Sequence, residues 1–283
     1  MEVIRTVAAT RAACDRARAE GRIVGFVPTM GAFHEGHRSL MRRANDERDM
    51  TVVSIFVNPL QFGDARDLQT YPRDEESDLA AAELVGVDLV FAPSVDEMYP
   101  RGEPEVTVDP GPLGERLEGA SRPGHFRGVA TVVAKLFATV GACSAYFGEK
   151  DAQQLAVIRQ MVRDLSMPVE VRCCPVVREP DGLALSSRNR LLSPEQREAA
   201  TCLFLALSEA AELARGGERD AGKLVAAMAR EIGATPHARI DYVAVVDEDT
   251  FEELPDIAGP ARALVAARFG GVRLIDTLLL PTA

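Results

Sequence analysis

The chain reads as an α/β protein, a parallel-sheet domain followed by a smaller α+β domain, on two observations. Short apolar runs rich in β-branched residues recur from residue 23 to residue 147, each followed by a stretch of helical periodicity. That β-α alternation is what a parallel sheet with helical crossovers requires. Near residue 176 the style changes to helices, which run to about residue 232 and are followed by three strand candidates. Together these predict a Rossmann-like domain over residues 1–176 and a smaller α+β lid domain over 177–283.

The elements follow in order. Ile23 to Val27 reads as a first buried strand, and Phe33, His37, Leu40, Met41 and Ala44 then recur at the three- and four-residue steps of an amphipathic helix. Thr51 to Val57 reads as a second strand, Leu79 to Leu84 as part of a helix, and Asp88 to Phe91 as a third strand ended by Ala92-Pro93. Val129 to Val140 is helical in period, Ala145-Tyr146-Phe147 is strand-like, and Leu155 to Leu165 is helical again. Ser193-Pro194-Glu195-Gln196 combines an N-cap serine, a proline at the first helical position and a capping-box glutamine, so a long helix is expected from there. Strands are expected at Tyr242 to Val246, Ala263 to Ala267 and Arg273 to Leu279.

Composition narrows the function. The net charge is −11, from 43 acidic and 32 basic residues, so nucleic acid would meet a repulsive average field and is not expected as a partner. A small anionic substrate stays compatible wherever a few cations converge. The five cysteines form no CxxC pair and no metal-ligand spacing, which suits a reducing, cytoplasmic setting better than a disulfide framework. The N-terminal stretch is charged, and no run of about 18 apolar residues occurs; neither export nor a membrane role is expected.

The strongest local signal is Pro28-Thr29-Met30-Gly31-Ala32-Phe33-His34-Glu35-Gly36-His37, after the first strand and at the start of the first helix. In a parallel sheet ligands bind at the carboxyl ends of strands. A helix N-terminus there offers backbone N–H groups and a positive dipole end to phosphate. His34 and His37 share one face of that turn and can add imidazole donors. Their i, i+3 spacing, with no third ligand nearby, does not fit the HExxH zinc arrangement.

The Thr-Met-Gly-x-x-His-x-Gly-His segment resembles the HxGH signature of the nucleotidyltransferase superfamily, which includes class I aminoacyl-tRNA synthetases. Its full form is similar to the pantothenate synthetase (pantoate–β-alanine ligase) family. Four further blocks resemble that family in its order: Phe56-Val57-Asn58-Pro59-Leu60-Gln61-Phe62, Tyr71-Pro72-Arg73, Phe147-Gly148-Glu149-Lys150-Asp151-Ala152-Gln153-Gln154 and Leu185-Ser186-Ser187-Arg188-Asn189. They span the first two-thirds of the chain.

The resemblance implies activation of pantoate by ATP as an acyl adenylate, followed by joining to β-alanine with release of AMP and pyrophosphate, in a cytoplasmic homodimer using Mg²⁺. It implies an ATP site from Met30, Gly31, Ala32, Phe33, His34, Glu35, Gly36 and His37, from Gly148, Glu149, Lys150 and Asp151, and from Val177, Leu185, Ser186, Ser187 and Arg188. His37, His34, Lys150 and Arg188 would carry catalysis. Lys150 is a point charge suited to phosphate, Asp151 suits a ribose hydroxyl, and Ser186-Ser187-Arg188 resembles the mobile loop that closes over a triphosphate in related enzymes. Gln61 and Gln154 would hold pantoate without adding a charge that weakens its carboxylate as a nucleophile, with Asn58 and Tyr71 beside them. Asp78 is taken as an indirect metal contact, and the Glu118 to Phe126 stretch, with Arg122, resembles a loop near the active site or dimer contact. A transferase of the same superfamily that leaves the nucleotide on its product is the nearest rival. A non-catalytic nucleotide-sensing module is a further one, and a kinase lacks its GxxxxGK[ST] loop here.

Overall fold

The computed structural model describes residues 1–63 and 65–281, with the backbone alone at 65–67. The chain divides into two compact units, Met1–Gly148 with Val157–Cys174, and Glu149–Ala156 with Pro175–Ala283. Along the first stretch run β1 (Glu2–Ile4), α1 (Val7–Ala19), β2 (Val24–Thr29), α2 (Glu35–Glu47), β3 (Met50–Ile55), α3 (Ala65–Thr70) and α4 (Glu75–Val85). Then come β4 (Leu89–Phe91), α5 (Val95–Met98), α6 (Glu118–Ser121), α7 (His125–Val140), β5 (Cys143–Gly148), α8 (Ala152–Asp164) and β6 (Val169–Cys174). The described residues build these strands into one parallel sheet in the order β1-β4-β3-β2-β5-β6.

The order reverses between β2 and β5. From β2 the chain moves outward to β3 and β4, and from β5 it moves the other way to β6. Such a reversal leaves a crevice at the carboxyl ends of the two central strands, because their connections depart in opposite directions. β2 reads as a near-continuous apolar run since both its faces are covered. Phe26 meets Phe137 of α7 edge-on at 6.4 Å, while Val27 joins Leu40, Met41, Ala44, Val53, Ala82 and Val90 in a buried cluster.

In the second unit α9 (Pro194–Ala199), α10 (Cys202–Arg215) and α11 (Ala221–Ala234) precede β7 (Ala238–Asp247), β8 (Ala261–Phe269) and β9 (Val272–Leu280). The three strands form an antiparallel sheet in chain order. Gly270-Gly271 makes the two-residue turn between β8 and β9, where the φ of +60° at Gly270 suits glycine. Leu203, Leu207 and Ala210 of α10 pack with Leu224 and Met228 of α11 and with Val265 and Phe269 of β8.

Three features depart from the sequence reading. Strands β1 and β6 escape it because they are the sheet's two edges. Their partly exposed patterns give no apolar run to detect. Helix α1 is hidden because its buried face consists of small residues, Thr10, Ala13, Cys14 and Ala17. The long helix expected from Ser193 is interrupted at 200–201, between α9 and α10. There Thr201 turns its hydroxyl onto the Glu198 carbonyl at 2.8 Å and its amide reaches the same carbonyl at 3.3 Å, which tightens and bends the helical path. Leu207 is fully buried in the second unit; Leu207→Ala should cost about 2–5 kcal/mol, read as a fall in the urea midpoint of that unit.

Candidate active site

The first unit's site begins where β2 ends. The Thr29 hydroxyl donates to the Ser54 carbonyl at 2.6 Å and accepts the Gly31 amide at 3.2 Å. The chain then turns left-handed twice, at Gly31 (φ +81°) and Ala32 (φ +53°). A side chain at Gly31 would place Cβ 2.6 Å from Oδ2 of Asp78. Asp78, buried at the start of α4, accepts the Ala32 amide on Oδ2 and the Phe33 amide on Oδ1, both at 2.7 Å. These bonds make Asp78 first of all the anchor of this loop. Among the described residues no group of three or more His, Cys, Asp or Glu is placed to hold a metal ion.

His34 is the N-cap of α2 and forms a capping box with His37. Nδ1 of His34 accepts the Gly36 amide at 3.1 Å, and Nδ1 of His37 accepts the His34 amide at 3.4 Å. An accepting Nδ1 carries no hydrogen, so each neutral ring holds its proton on Nε2. The rings lie 4.2 Å apart between centroids, and their fixed tautomers give two donors at one end of the sheet. This corrects the picture of an open row of helix-start amides, because those of Gly31, Ala32, Phe33, His34 and Gly36 are satisfied within the segment and by Asp78.

A second cluster surrounds Gln61. The Asn58 amide donates to Oε1 of Gln61 and to the Gly128 carbonyl, each at 3.1 Å, while Tyr99 donates to Oδ1 of Asn58 at 2.8 Å. Nε2 of Gln61 lies 3.0 Å from the Met30 sulfur. Arg122 stands 3.0 Å from Nε2 of His125, whose Nδ1 is 2.9 Å from the Gln61 carbonyl. A guanidinium can only donate, so His125 accepts on Nε2 and donates from Nδ1, the opposite tautomer to His34 and His37. Gly128 is required here, since a Cβ would stand 2.3 Å from the Leu60 carbonyl. Burial raises the Tyr99 hydroxyl pKa, keeping it a donor. Tyr71 lies outside these bonds and meets Phe62 edge-on at 5.7 Å; Glu118 is buried in α6.

In the second unit Glu149–Asp151 forms a 3-10 turn ahead of α8, whose first turn carries Gln153 and the half-buried Gln154. Lys150 is half-buried and Asp151 exposed. Val177 accepts the Leu185 amide at 2.9 Å, closing a hairpin whose far end continues into Ser186. Ser186 caps the 3-10 turn Ser187–Leu191 by accepting the Arg188 amide at 3.3 Å. Among the described residues neither Lys150 nor Arg188 enters an ion pair.

The family model described as pantoate-beta-alanine ligase matches residues 2–279. The chain belongs to the pantoate–β-alanine ligase family. The pantothenate synthetase of Roseiflexus sp. (strain RS-1) is 55% identical over 280 residues, 99% of each chain. A solved pantothenate synthetase from Thermus thermophilus is 52% identical, with a TM-score of 0.92 over 99% of this chain and 100% of that one. The pantoate-beta-alanine ligase of Francisella tularensis, solved with beta-gamma ATP and beta-alanine, is 34% identical with a TM-score of 0.80, covering 100% of this chain and 99% of that one. Sequence reasoning missed Tyr99, which lies 41 residues from Asn58, while His125 falls in the Glu118 to Phe126 stretch whose resemblance to a family loop was the available signal. The imidazole assignments are measurable. Long-range ¹⁵N–¹H spectra near neutral pH should show His34 and His37 as Nε2–H rings and His125 as Nδ1–H, and the reverse pattern would contradict the capping geometry.

Proposed function

We propose that this chain condenses pantoate with β-alanine at the expense of ATP. The pantoate carboxylate attacks the α-phosphate, forming pantoyl adenylate and expelling pyrophosphate. The β-alanine amine then attacks the acyl carbon and expels AMP. An amine cannot displace oxide from a carboxylate, so the acid must first gain this leaving group. The observation that carries the reading is the family match over residues 2–279, with the HxGH imidazoles standing at the sheet's switch point.

The residue roles are part of the same proposal. His34 and His37 donate from Nε2 to phosphate oxygens, with His37 the favoured proton donor. Lys150 and Arg188 neutralise charge building on the leaving pyrophosphate, and Ser186 and Ser187 add hydroxyl donors. Met30, Gly31, Ala32, Phe33, Glu35, Gly36, Gly148, Glu149, Val177 and Leu185 shape the nucleotide site, with Asp151 on the ribose. Gln61 and Gln154 hold pantoate, with Asn58 orienting Gln61 and Tyr71 beside them. Both reactants of the first step are anionic, so alignment and charge neutralisation are the protein's main tasks. Mg²⁺ enters bound to the nucleotide's phosphates, and Asp78, already bonded to two amides, would meet it only through water. A nucleotide- and pantoate-binding part over 1–176, a lid over 177–283, a homodimer and a cytoplasmic location complete the reading.

Pantoate-dependent pyrophosphate exchange, with AMP appearing only when β-alanine is added, is the expected activity; a nucleotide retained on the product would favour the transferase instead. Lys150→Ala or His37→Ala should lower turnover about 10²–10³-fold, and wild-type rates in either would remove that residue's role. Tyr99→Phe leaves Asn58 without its hydroxyl donor, so KM for pantoate should rise about tenfold while KM for ATP stays constant.

A further inference from the structure

The second unit contains a buried charge that the proposed reaction does not use. Asp276 on β9 is 2% exposed, and a carboxylate in such a place is costly unless well paired. It accepts Nη1 of Arg178 at 2.6 Å, Nη2 of Arg178 at 3.0 Å and the Thr277 amide at 2.7 Å. Three N–H donors on two oxygens are the surroundings of the charged form. Burial pushes the carboxyl pKa up, and Arg178, the Thr277 amide and the charge of Lys150 oppose that shift.

Arg178 makes two further hydrogen bonds besides those to Asp276. It donates to the carbonyls of Gly182 at 3.0 Å and Thr277 at 3.2 Å, and its guanidinium lies 4.5 Å from the Phe204 ring centre. Gly182 has φ +93° and no space for a side chain, since its Cβ would meet Phe204 at 2.0 Å. The guanidinium therefore clamps the hairpin closed by the Glu179–Leu183 and Leu185–Val177 backbone bonds, at 2.8 and 2.9 Å. The ends of that hairpin are Val177 and the Leu185-Ser186-Ser187-Arg188 segment. β9 also packs against the turn Glu149–Asp151. One carboxylate thus holds the cation that docks the hairpin, and it does so from a strand that packs against the turn bearing Lys150.

Resting on the adenylate-forming reading above, we propose that Asp276 is a positioning residue for the adenylation step, holding the Arg178-clamped hairpin and Lys150 in fixed relation. Without its charge Arg178 loses its partner and the strand that packs against the Lys150 turn loses its anchor, so the groups proposed to meet the triphosphate lose register.

Pyrophosphate exchange with pantoate reports adenylation alone, and AMP formation with β-alanine reports the whole reaction. Wild type is compared with Asp276→Asn, with the double variant Arg178→Met/Asp276→Leu, with Lys150→Ala, and with Lys150→Ala/Asp276→Asn. The Met/Leu pair removes both charges at similar volume, a replacement that generally preserves stability, so it supplies a folded protein if Asp276→Asn does not. The folded Asp276 variants should lose about 10- to 100-fold in exchange with KM for β-alanine unchanged, and Asp276→Asn should cost less once Lys150 is already alanine, only the hairpin's share of the loss remaining. Wild-type exchange in a folded Asp276 variant, or losses that multiply fully with Lys150→Ala, would overturn the proposal. A wild-type protein with no exchange would instead overturn the adenylate reading, and the proposal with it.

Discussion

The first unit's site hangs from one buried carboxylate. The loop leaving β2 must turn left-handed at two successive residues, one of them the alanine Ala32, a conformation costing an L-residue roughly 1–2 kcal/mol. Asp78 offsets that cost with two charge-assisted bonds to the amides of Ala32 and Phe33. Because Asp78 sits in α4, the loop is braced by an element more than forty residues away along the chain. With the loop held, His34 falls at the N-cap of α2, and the backbone amides of Gly36 and His34 fix the tautomers of His34 and His37 respectively.

The same unit solves a different problem at Gln61. In the role proposed for Gln61, a substrate carboxylate that must act as a nucleophile is best held by neutral donors, because a tightly paired cation would lower its electron density. Asn58, Tyr99 and His125 surround Gln61 with neutral partners, and Arg122 reaches both the far nitrogen of His125 at 3.0 Å and the Gln61 carbonyl at 3.4 Å. Each member's donor or acceptor role is dictated by its neighbour, which is how buried polar networks rigidify a site.

An acidic protein that handles anionic substrates must reserve a few cations. Many arginines here are spent on carboxylates, among them Arg178 on Asp276 and Arg262 on Glu248. Lys150 and Arg188 are in no ion pair among the described residues, and a net charge of −11 leaves such local positive points as the places where a phosphate is attracted. In the proposed reaction, phosphate recognition would rest on such local charges rather than on the average field.

The chain by itself determined the α/β alternation, the helices and three strands of the tail and the positions of the blocks that resemble the ligase family, because those properties are local. An apolar period, a capping Ser-Pro-x-Gln and the HxGH segment need only neighbouring residues to be read. Edge strands β1 and β6 lay beyond such reading because half-exposed strands lack a continuous apolar run, and α1 because alanine and cysteine write its buried face. Tertiary structure alone decided which donors are available. Asp78 consumes amides that the sequence offered to phosphate, Tyr99 and His125 reach the Asn58–Gln61 turn from distant segments, and Asp276 joins Arg178 across nearly a hundred residues. Hydrogen-bond partnership depends on separation in space, and one-dimensional periodicity carries no information about which distant side chain will arrive.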